Sequence, residues 1–254
     1  MVPDLTTWLL VFLRMSAFVA VFPIFSATHF PPRIRVALAF FLSLMVMTVV
    51  PAVRLAGDSV WSAVGVMMAE VVAGLMLGYV SRLVFYALDL AGGFISSEIG
   101  LTTPGVMNPL TQSQGTDTGA ILYYLGAILW LGLDLHHQLF LALQHSYALL
   151  PMGGVGVSEA LAWDITRRTA GLLVIAIQVS APMVSVAFVV NLVFAMLGRA
   201  VPQMNVFSES FAVRIVSGLV VFGMTCEIMG QHLSNYLRRL PGDVLRVAEL
   251  MRGG

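Results

Sequence analysis

Apolar residues occur along this chain in six long runs, separated by short stretches that are rich in proline, glycine, arginine and polar side chains. Each run approaches the roughly 20 residues that a helix needs to cross a bilayer, and none shows the residue-by-residue alternation of a barrel strand. The pattern therefore predicts an all-α, helical membrane protein. The six segments are Trp8–Ala27, Ile34–Val53, Val60–Leu88, Gly119–Leu150, Arg168–Gly198 and Phe211–Leu237.

The ends and lengths of these segments bear on topology. The fourth and fifth are long enough to bend or to extend beyond a bilayer, and Pro182 predicts a kink in the fifth. Six spans would place both termini on one side, and the arginines near the C-terminus favour the cytoplasmic side. The first segment follows Asp4 and exceeds the apolar part of a signal peptide, so we expect it to be retained.

Composition supports the membrane prediction and excludes some partners. Only 10% of the 254 residues are charged, against about a quarter in soluble domains. Acidic and basic residues number 13 each, so no net charge points to nucleic acid. The single cysteine, Cys226, lies within an apolar run and is expected to be a core residue.

A few charged or titratable residues lie inside the apolar runs or at their ends, where an ion needs a partner or a wet cavity. Glu70 is the clearest case, because it is the only charged residue from Val60 to Ser81. Two interpretations are open: the carboxylate moves protons or substrate, or it holds helices together by pairing with an arginine or a helix N-terminus. Gly74 and Gly78 follow at a spacing that lets helix backbones approach closely. The full set is Arg14, Glu70, Arg82, Asp134, His136, His137 and Glu227.

The stretch LDLHHQLFLALQH brings Asp134, His136, His137 and His145 close together in sequence. A helical zinc pair needs ligands at i and i+4, whereas adjacent histidines are expected to point in different directions, so we predict no metal site. The chain also has no G-x-S-x-G, Walker or G-x-G-x-x-G motif. We therefore expect no cofactor and no enzymatic activity.

The longest polar interruption is GLTTPGVMNPLTQSQGTDTG, from Gly100 to Gly119, and its prolines, glycines and amides predict a loop. It is either a plain solvated connection or irregular backbone that lines a cavity. Composition alone favours the solvated connection.

Three separated stretches resemble the signature regions of one known family. They are FPIFSATHFPPRIRVALAF, LGLDLHHQLFLALQHSYALLPMG and GRAVPQMNVFSESFAVRI, in family order and spacing from about Leu10 to Leu237. On these residues the chain resembles the FliR family of the flagellar type III export gate, whose virulence-secretion counterpart is SctT. The resemblance implies a structural core subunit that lines and helps close the channel through which unfolded flagellar proteins are exported.

The architecture that the resemblance implies is a set of bent helical hairpins in a shallow superhelix. A FliP-like part would cover about residues 1–165 and a FliQ-like hairpin about 166–237, followed by an arginine-containing tail at 238–254. One copy of the chain would assemble with FliP-like and FliQ-like subunits in the bacterial inner membrane, at the flagellar basal body, with FlhB and FlhA as neighbours. Partners, and not lipid, would then cover much of the apolar surface.

The resemblance also implies two kinds of site. The plug that closes the channel aligns with Thr103–Thr118, which reverses the preference for a solvated connection. Its residues are Pro104, Gly105, Val106, Met107, Asn108, Pro109 and Gln112. Two turns would serve assembly, and their residues are Pro31, Pro32, Arg33, Arg35, Pro202, Gln203 and Asn205.

The chain departs from the family pattern at several of these positions. Asn108 stands where members commonly have Asp before Pro109, and any role that needs that charge is in doubt. Asp134 and Leu135 stand where members usually have Asn and Gly before the paired histidines, and Glu209 replaces a small or apolar residue.

Two alternatives to the flagellar function remain open at this point. The first is an SctT subunit of a virulence system. The second is a small secondary transporter with Glu70, Arg82 and Asp134 at a midplane site, which predicts an internal repeat and discontinuous helices. No convincing repeat is visible in the sequence.

Overall fold

A computed structural model of the protein describes residues 4–26, 31–52, 60–101, 116–201, 203 and 205–252. All regular structure within these ranges is α-helical, which confirms the predicted class. The helices are α1 (Leu5–Val21), α2 (Pro23–Ser26), α3 (Pro32–Met47), α4 (Val60–Ile99), α5 (Asp117–Gly132), α6 (Leu135–Leu149), α7 (Glu159–Ala200), α8 (Val206–Leu237) and α9 (Leu240–Met251).

Prolines and glycines set several helix ends. Pro23 disfavours helical backbone in the residue before it, and α1 ends there. Pro32 occupies the first turn of α3, where its missing N–H costs nothing. Gly100 ends α4 with a φ of 84°, and the N–H of Leu101 donates to the carbonyl of Ser96 at 2.9 Å. Pro182 lies inside α7, which continues on both sides of it.

The helix lengths revise the six-span expectation. Of the described residues, three helical stretches are long and apolar enough to cross a membrane: Val60–Ile99, Glu159–Ala200 and Ser208–Met251, the last of which joins α8 and α9. The predicted fourth segment is two helices, α5 and α6, which add a fourth span only if counted together. The first two segments form helices of only 17 and 16 residues. Length and hydropathy thus support a membrane protein with fewer spans than its apolar runs.

The described chain forms two compact units, each built from separate stretches of sequence. The first unit comprises Met1–Leu83, Leu133–Thr169 and Arg238–Gly254. In it, α1 packs on α2 and α3, and α6 packs on α9. The second comprises Val84–Gly132 and Ala170–Leu237, with α5 packed on α8.

This partition differs from the division at residues 165 and 166 that the family resemblance implies, and that division stays a prediction. The segment predicted as a tail contains a helix, α9, whose apolar side is buried in the first unit. Its buried residues are Leu240, Val244, Val247, Ala248 and Met251.

Glycines allow the closest helix contacts in both units. In the first, a Cβ at Gly74 would overlap the Arg14 carbonyl oxygen, and one at Gly78 would lie 2.9 Å from Val21 Cβ. The predicted packing role of these two glycines is therefore confirmed, since α1 and α4 meet there. In the second unit, a Cβ at Gly92 of α4 would overlap the backbone of Gly119 of α5.

Candidate functional site

A fully buried ion pair lies at the centre of the first unit. Arg14 of α1 donates from Nε to Oε2 of Glu70 of α4 at 2.7 Å, and from Nη2 to Oε1 at 3.0 Å. Both side chains have no exposed surface. The two parallel hydrogen bonds are the fork-to-fork geometry in which an arginine binds a carboxylate most strongly.

The rest of the cluster supplies partners for both charges. Arg14 donates to the backbone carbonyl of Leu150 at 3.2 Å and to Ser146 Oγ at 3.4 Å. The backbone N–H of Gly153 donates to Oε1 of Glu70 at 3.1 Å. The guanidinium carbon of Arg14 lies 4.0 Å from the ring centre of Tyr147, which adds a cation–π contact. We call these six residues the Arg14–Glu70 cluster.

Local sequence features position each member of the cluster. Gly74, one turn after Glu70, lets α1 approach closely enough for Arg14 to reach the carboxylate. Pro151 follows Leu150, the residue that caps the C-terminal end of α6. The Leu150 carbonyl therefore lies where the helix dipole favours a cation. Gly153 has a φ of 76°, which its N–H contact needs and which other residues rarely adopt.

Both charged groups of the cluster have their partners within the chain. Glu70 accepts hydrogen bonds on both oxygens, and the guanidinium is bound by a carboxylate, a hydroxyl and a carbonyl. Removing one partner of such a buried pair typically costs about 3–5 kcal/mol, because the other charge is left without compensation. This geometry favours the interpretation in which Glu70 holds helices together, with Arg14 of the same chain as its partner.

The midplane site of the transporter hypothesis does not form within the described residues. Glu70 and Arg82 lie on one continuous helix at a separation of about 18 Å along its axis. Asp134 has a side chain that is 78% exposed, whereas Glu70 is completely buried. Glu70 is thus separated from Arg82 along the helix and differs in exposure from Asp134.

A second charged cluster ties α9 to the start of α7. Arg168 binds Asp164 at 2.5 Å and Asp243 at 2.5 Å, and Arg246 binds Asp164 at 3.2 Å. Asp164 and Asp243 therefore hold Arg168, where the fifth predicted segment begins, and Arg246 of the predicted tail. The sequence pattern did not predict either acidic partner. Asp164 precedes the fifth predicted segment, and Asp243 lies in α9, a helix that hydropathy did not predict.

The first assembly turn is described from Pro31 onward. Pro31, Pro32 and Arg33 are exposed, and Arg35 is half-buried. Arg35 donates from Nη2 to the backbone carbonyl of Ser26 at 3.2 Å, so it caps a carbonyl at the end of α2.

The second assembly turn is described at Gln203 and Asn205, both exposed, whereas Pro202 lies outside the described residues. The side-chain oxygen of Asn205 accepts from the N–H of Ser208 at 3.3 Å. Asparagine is a favoured residue for this N-terminal helix cap, so Asn205 fixes the start of α8. Glu209 lies exposed in the first turn of that helix, where a negative charge is favourable.

The predicted plug residues, Pro104 to Pro109 and Gln112, lie outside the described residues. The helices on either side of this segment are described and are held together in the second unit. The hydroxyls of Ser96 and Thr118 are hydrogen-bonded, and Thr118 Oγ1 donates to the carbonyl of Gly92 at 3.1 Å. The segment therefore connects two helices, α4 and α5, that are in direct contact.

Large apolar side chains are exposed along α7 and α8. In their most apolar windows, only 28% of the residues of Glu159–Ala200 and 6% of those of Ser208–Met251 are buried. Such surfaces are stable only against lipid or against other protein. The exposed residues include Leu173, Val174, Ile177, Phe188, Val189, Leu192, Val216, Leu219, Val220, Met224 and Ile228.

The paired histidines lie closer together than their spacing suggested. The rings of His136 and His137 are 4.0 Å apart between centroids, and Asp134 stands beside them. The prediction that the side chains of these adjacent histidines point in different directions is therefore wrong. His145, at the far end of α6, is exposed and is not a member of this group.

Comparison with known proteins links most of the chain to bacterial export. Residues 5–240 match the family described as bacterial export proteins, family 1. The flagellar biosynthetic protein FliR of Bacillus subtilis is 28% identical over 220 residues, which cover 84% of this chain and 83% of the relative. The FliR protein of Escherichia coli is 22% identical over 239 residues, covering 92% and 90%.

A protein of a second kind is also similar. The Yop proteins translocation protein T of Yersinia pestis is 26% identical over 167 residues. The match covers 65% of this chain and 64% of that protein, a smaller share than for the two flagellar proteins.

Proposed function

Because the chain belongs to family 1 of the bacterial export proteins, we propose that it is a structural core subunit of the flagellar type III protein export gate. The observation that carries this proposal is the contrast between its interior and its surface. The Glu70 carboxylate lies in an apolar run, and both of its oxygens accept hydrogen bonds from Arg14 of the same chain. The long helices, in contrast, expose apolar side chains. A subunit that acts by packing against neighbours needs both features.

The partners follow from the same proposal. One copy of this chain would assemble with FliP-like and FliQ-like subunits, with FlhB and FlhA as neighbours, and unfolded flagellar proteins would be the cargo. The assembly would lie in the bacterial inner membrane at the flagellar basal body. The exposed faces of α7 and α8 are the surfaces we assign to partner subunits or lipid.

The predicted sites take on roles in this assembly. The exposed turn at Pro31, Pro32 and Arg33 and the turn that Asn205 caps would contact neighbouring subunits. The residues from Pro104 to Pro109, with Gln112, would contribute to the closed state of the channel. In this function the chain catalyses no reaction and needs no cofactor.

A virulence-type SctT subunit is the second candidate, and its support is the similarity to the Yersinia translocation protein. The longer coverage of the flagellar relatives favours the flagellar system. Expression of the chain in strains that lack either counterpart separates the two: recovery of motility would support the flagellar assignment, and recovery of effector secretion the other.

Native mass spectrometry tests the proposal directly. The chain is co-expressed with the FliP-like and FliQ-like proteins of its own genome and purified from membranes. We expect one copy of the chain in a large hetero-oligomer. A lone monomer or homodimer, while the other two proteins assemble, would contradict the proposal and favour a small transporter, which solute uptake by liposomes containing the chain alone would then reveal.

A further inference from the structure

Three potential metal ligands lie together at the start of α6, outside the Arg14–Glu70 cluster. Asp134, His136 and His137 each offer one ligand atom, and these atoms all lie within 4.8 Å of one another. Asp134 and His137 are exposed and His136 is half-buried, so a solvated ion can reach the group. The proposed export function uses none of these three side chains.

Backbone geometry explains why these neighbours converge. Asp134 adopts a left-handed conformation with a φ of 54°, the only positive φ among the described residues other than glycines. This conformation separates Gly132, the last residue of α5, from the start of α6, and the N–H of His137 donates to the Asp134 carbonyl at 3.1 Å. The carboxylate then lies over the first turn of the helix, with Oδ1 3.8 Å from Nδ1 of His137.

A simple ion pair does not account for the whole arrangement. An exposed carboxylate–histidine pair such as Asp134 with His137 contributes at most about 1 kcal/mol. The ring of His136 is nevertheless turned toward its neighbour, with 4.0 Å between centroids and an angle of 40° between planes. Two imidazoles and one carboxylate form a ligand set that suits zinc and other divalent transition metals.

We propose that Asp134, His136 and His137 form a binding site for a divalent transition-metal ion such as Zn²⁺, with its remaining coordination positions open to water. Zinc binds imidazole nitrogen and carboxylate oxygen at about 2.0–2.2 Å, so the three ligand atoms, which lie within 4.8 Å of one another, must draw closer together to close around an ion. A bound ion ties the residue before α6 to the first turn of that helix.

Titration of the full-length chain in detergent tests this proposal. The protein carries no histidine tag, is first treated with a chelator, and is titrated with Zn²⁺ by calorimetry and with Co²⁺ by visible absorption. We expect saturable binding of one ion per chain. His137→Ala and His136→Ala should each weaken it by at least about tenfold, since even loss of an outer-shell contact costs 10–100-fold. Asp134→Asn should weaken it less, because an amide oxygen remains.

His145→Ala is the matched control, because it removes an exposed histidine from the same helix and leaves the proposed ligands intact. This variant should bind as the parent does. Circular dichroism and size-exclusion profiles identify any variant that fails to fold, and for such a variant His137→Gln replaces alanine. Absence of saturable binding by the parent chain, or equal affinity in the folded His137 variant, would overturn the proposal.

Discussion

Arg14 and Glu70 are buried together, so the free energy of each charge depends on the other. The carboxylate has three donors around it, and the guanidinium has acceptors from α4, α6 and the residue that ends α6. An ionised group in such an interior is stable only while its partner is charged and in place. The cluster therefore acts as one unit in stability.

Replacement of Glu70 by glutamine should destabilise the chain by about 3–5 kcal/mol, because Arg14 keeps its charge without a counter-ion. The double variant Arg14→Met with Glu70→Leu should lose less than the sum of the two single changes, since no buried charge remains. Thermal unfolding of the purified protein, followed by fluorescence-detected size exclusion, measures both effects.

Glu227→Gln is the control for this change. Glu227 also lies in an apolar run, but it is exposed on α8, so its replacement should change stability by less than about 0.5 kcal/mol. If Glu70→Gln instead gave normal stability and normal assembly while export was abolished, Glu70 would act through its protonation and not through the pair with Arg14.

Single residues of the cluster differ in how far sequence could predict them. Glu70 stood out as an isolated charge, and Gly74 indicated a close helix contact. The identity of the partner was not predictable, because Arg14 lies 56 residues away and pairing depends on the packing of α1 against α4. Gly153 carried no local signal, since its role comes from one backbone N–H.

At the scale of elements, close packing decided where the helices end. The sequence placed the end of the third segment at Leu88, before Asp89 and two glycines. The helix continues to Ile99 because Gly92 allows close contact with α5, and the Ser96 and Thr118 hydroxyls are hydrogen-bonded to each other there. Polarity alone therefore misplaced a boundary that tertiary contacts determine.

The opposite error occurred in the fourth segment. Hydropathy joined Gly119 to Leu150, yet the helix breaks at residues 133 and 134. Gly132 and Asp134 are poor helix formers, and aspartate tolerates the left-handed conformation that the break requires. These two residues indicate a helix break, but the mean hydropathy of a long apolar window does not register them.

Two adjacent glycines of α4 provide a matched test of the helix contact. Gly92→Ala should destabilise the protein, because its Cβ would overlap Gly119 and force α4 and α5 apart by a costly backbone shift. Gly93→Ala meets nothing within 4 Å, so the better helix propensity of alanine should leave stability unchanged or raise it by up to about 1 kcal/mol.

Thermal unfolding of the two variants, purified without partner subunits, compares their stabilities under one condition. A loss of at least about 1 kcal/mol for Gly92→Ala relative to Gly93→Ala would support the contact. Equal stability of the two variants would mean that α4 and α5 do not meet at Gly92 in the folded protein.

For the whole molecule, the sequence predicted an all-α membrane protein, but it did not predict the number of spans correctly. Hydropathy reports how apolar a segment is, and it is the same whether lipid or another protein covers the segment. Eight of the 17 residues of α1 are buried within the first unit, whereas most residues in the apolar parts of α7 and α8 are not. The family match over residues 5–240 supplies a reason for both, because a subunit of an assembly needs an interior and several interfaces.

The proposed plug leads to a test on the assembled gate. Deletion of Gly105 to Gln114 should leave the complex intact, because Ser96, Thr118 and the Gly92 contact hold the flanking helices independently of the segment. The channel should then leak ions, since all the residues that we assign to its closed state except Pro104 are gone. Conductance of proteoliposomes that contain the complex measures the leak.

A second variant separates the loss of the plug from the shortening of the chain. It replaces the same residues with a glycine–serine segment of equal length, which keeps the connection but removes Pro109 and the apolar side chains. Both variants should leak more than the parent complex if those side chains close the channel. An intact complex with unchanged conductance in both would remove the plug assignment while leaving the export-gate function standing, because assembly with the partner subunits is measured separately.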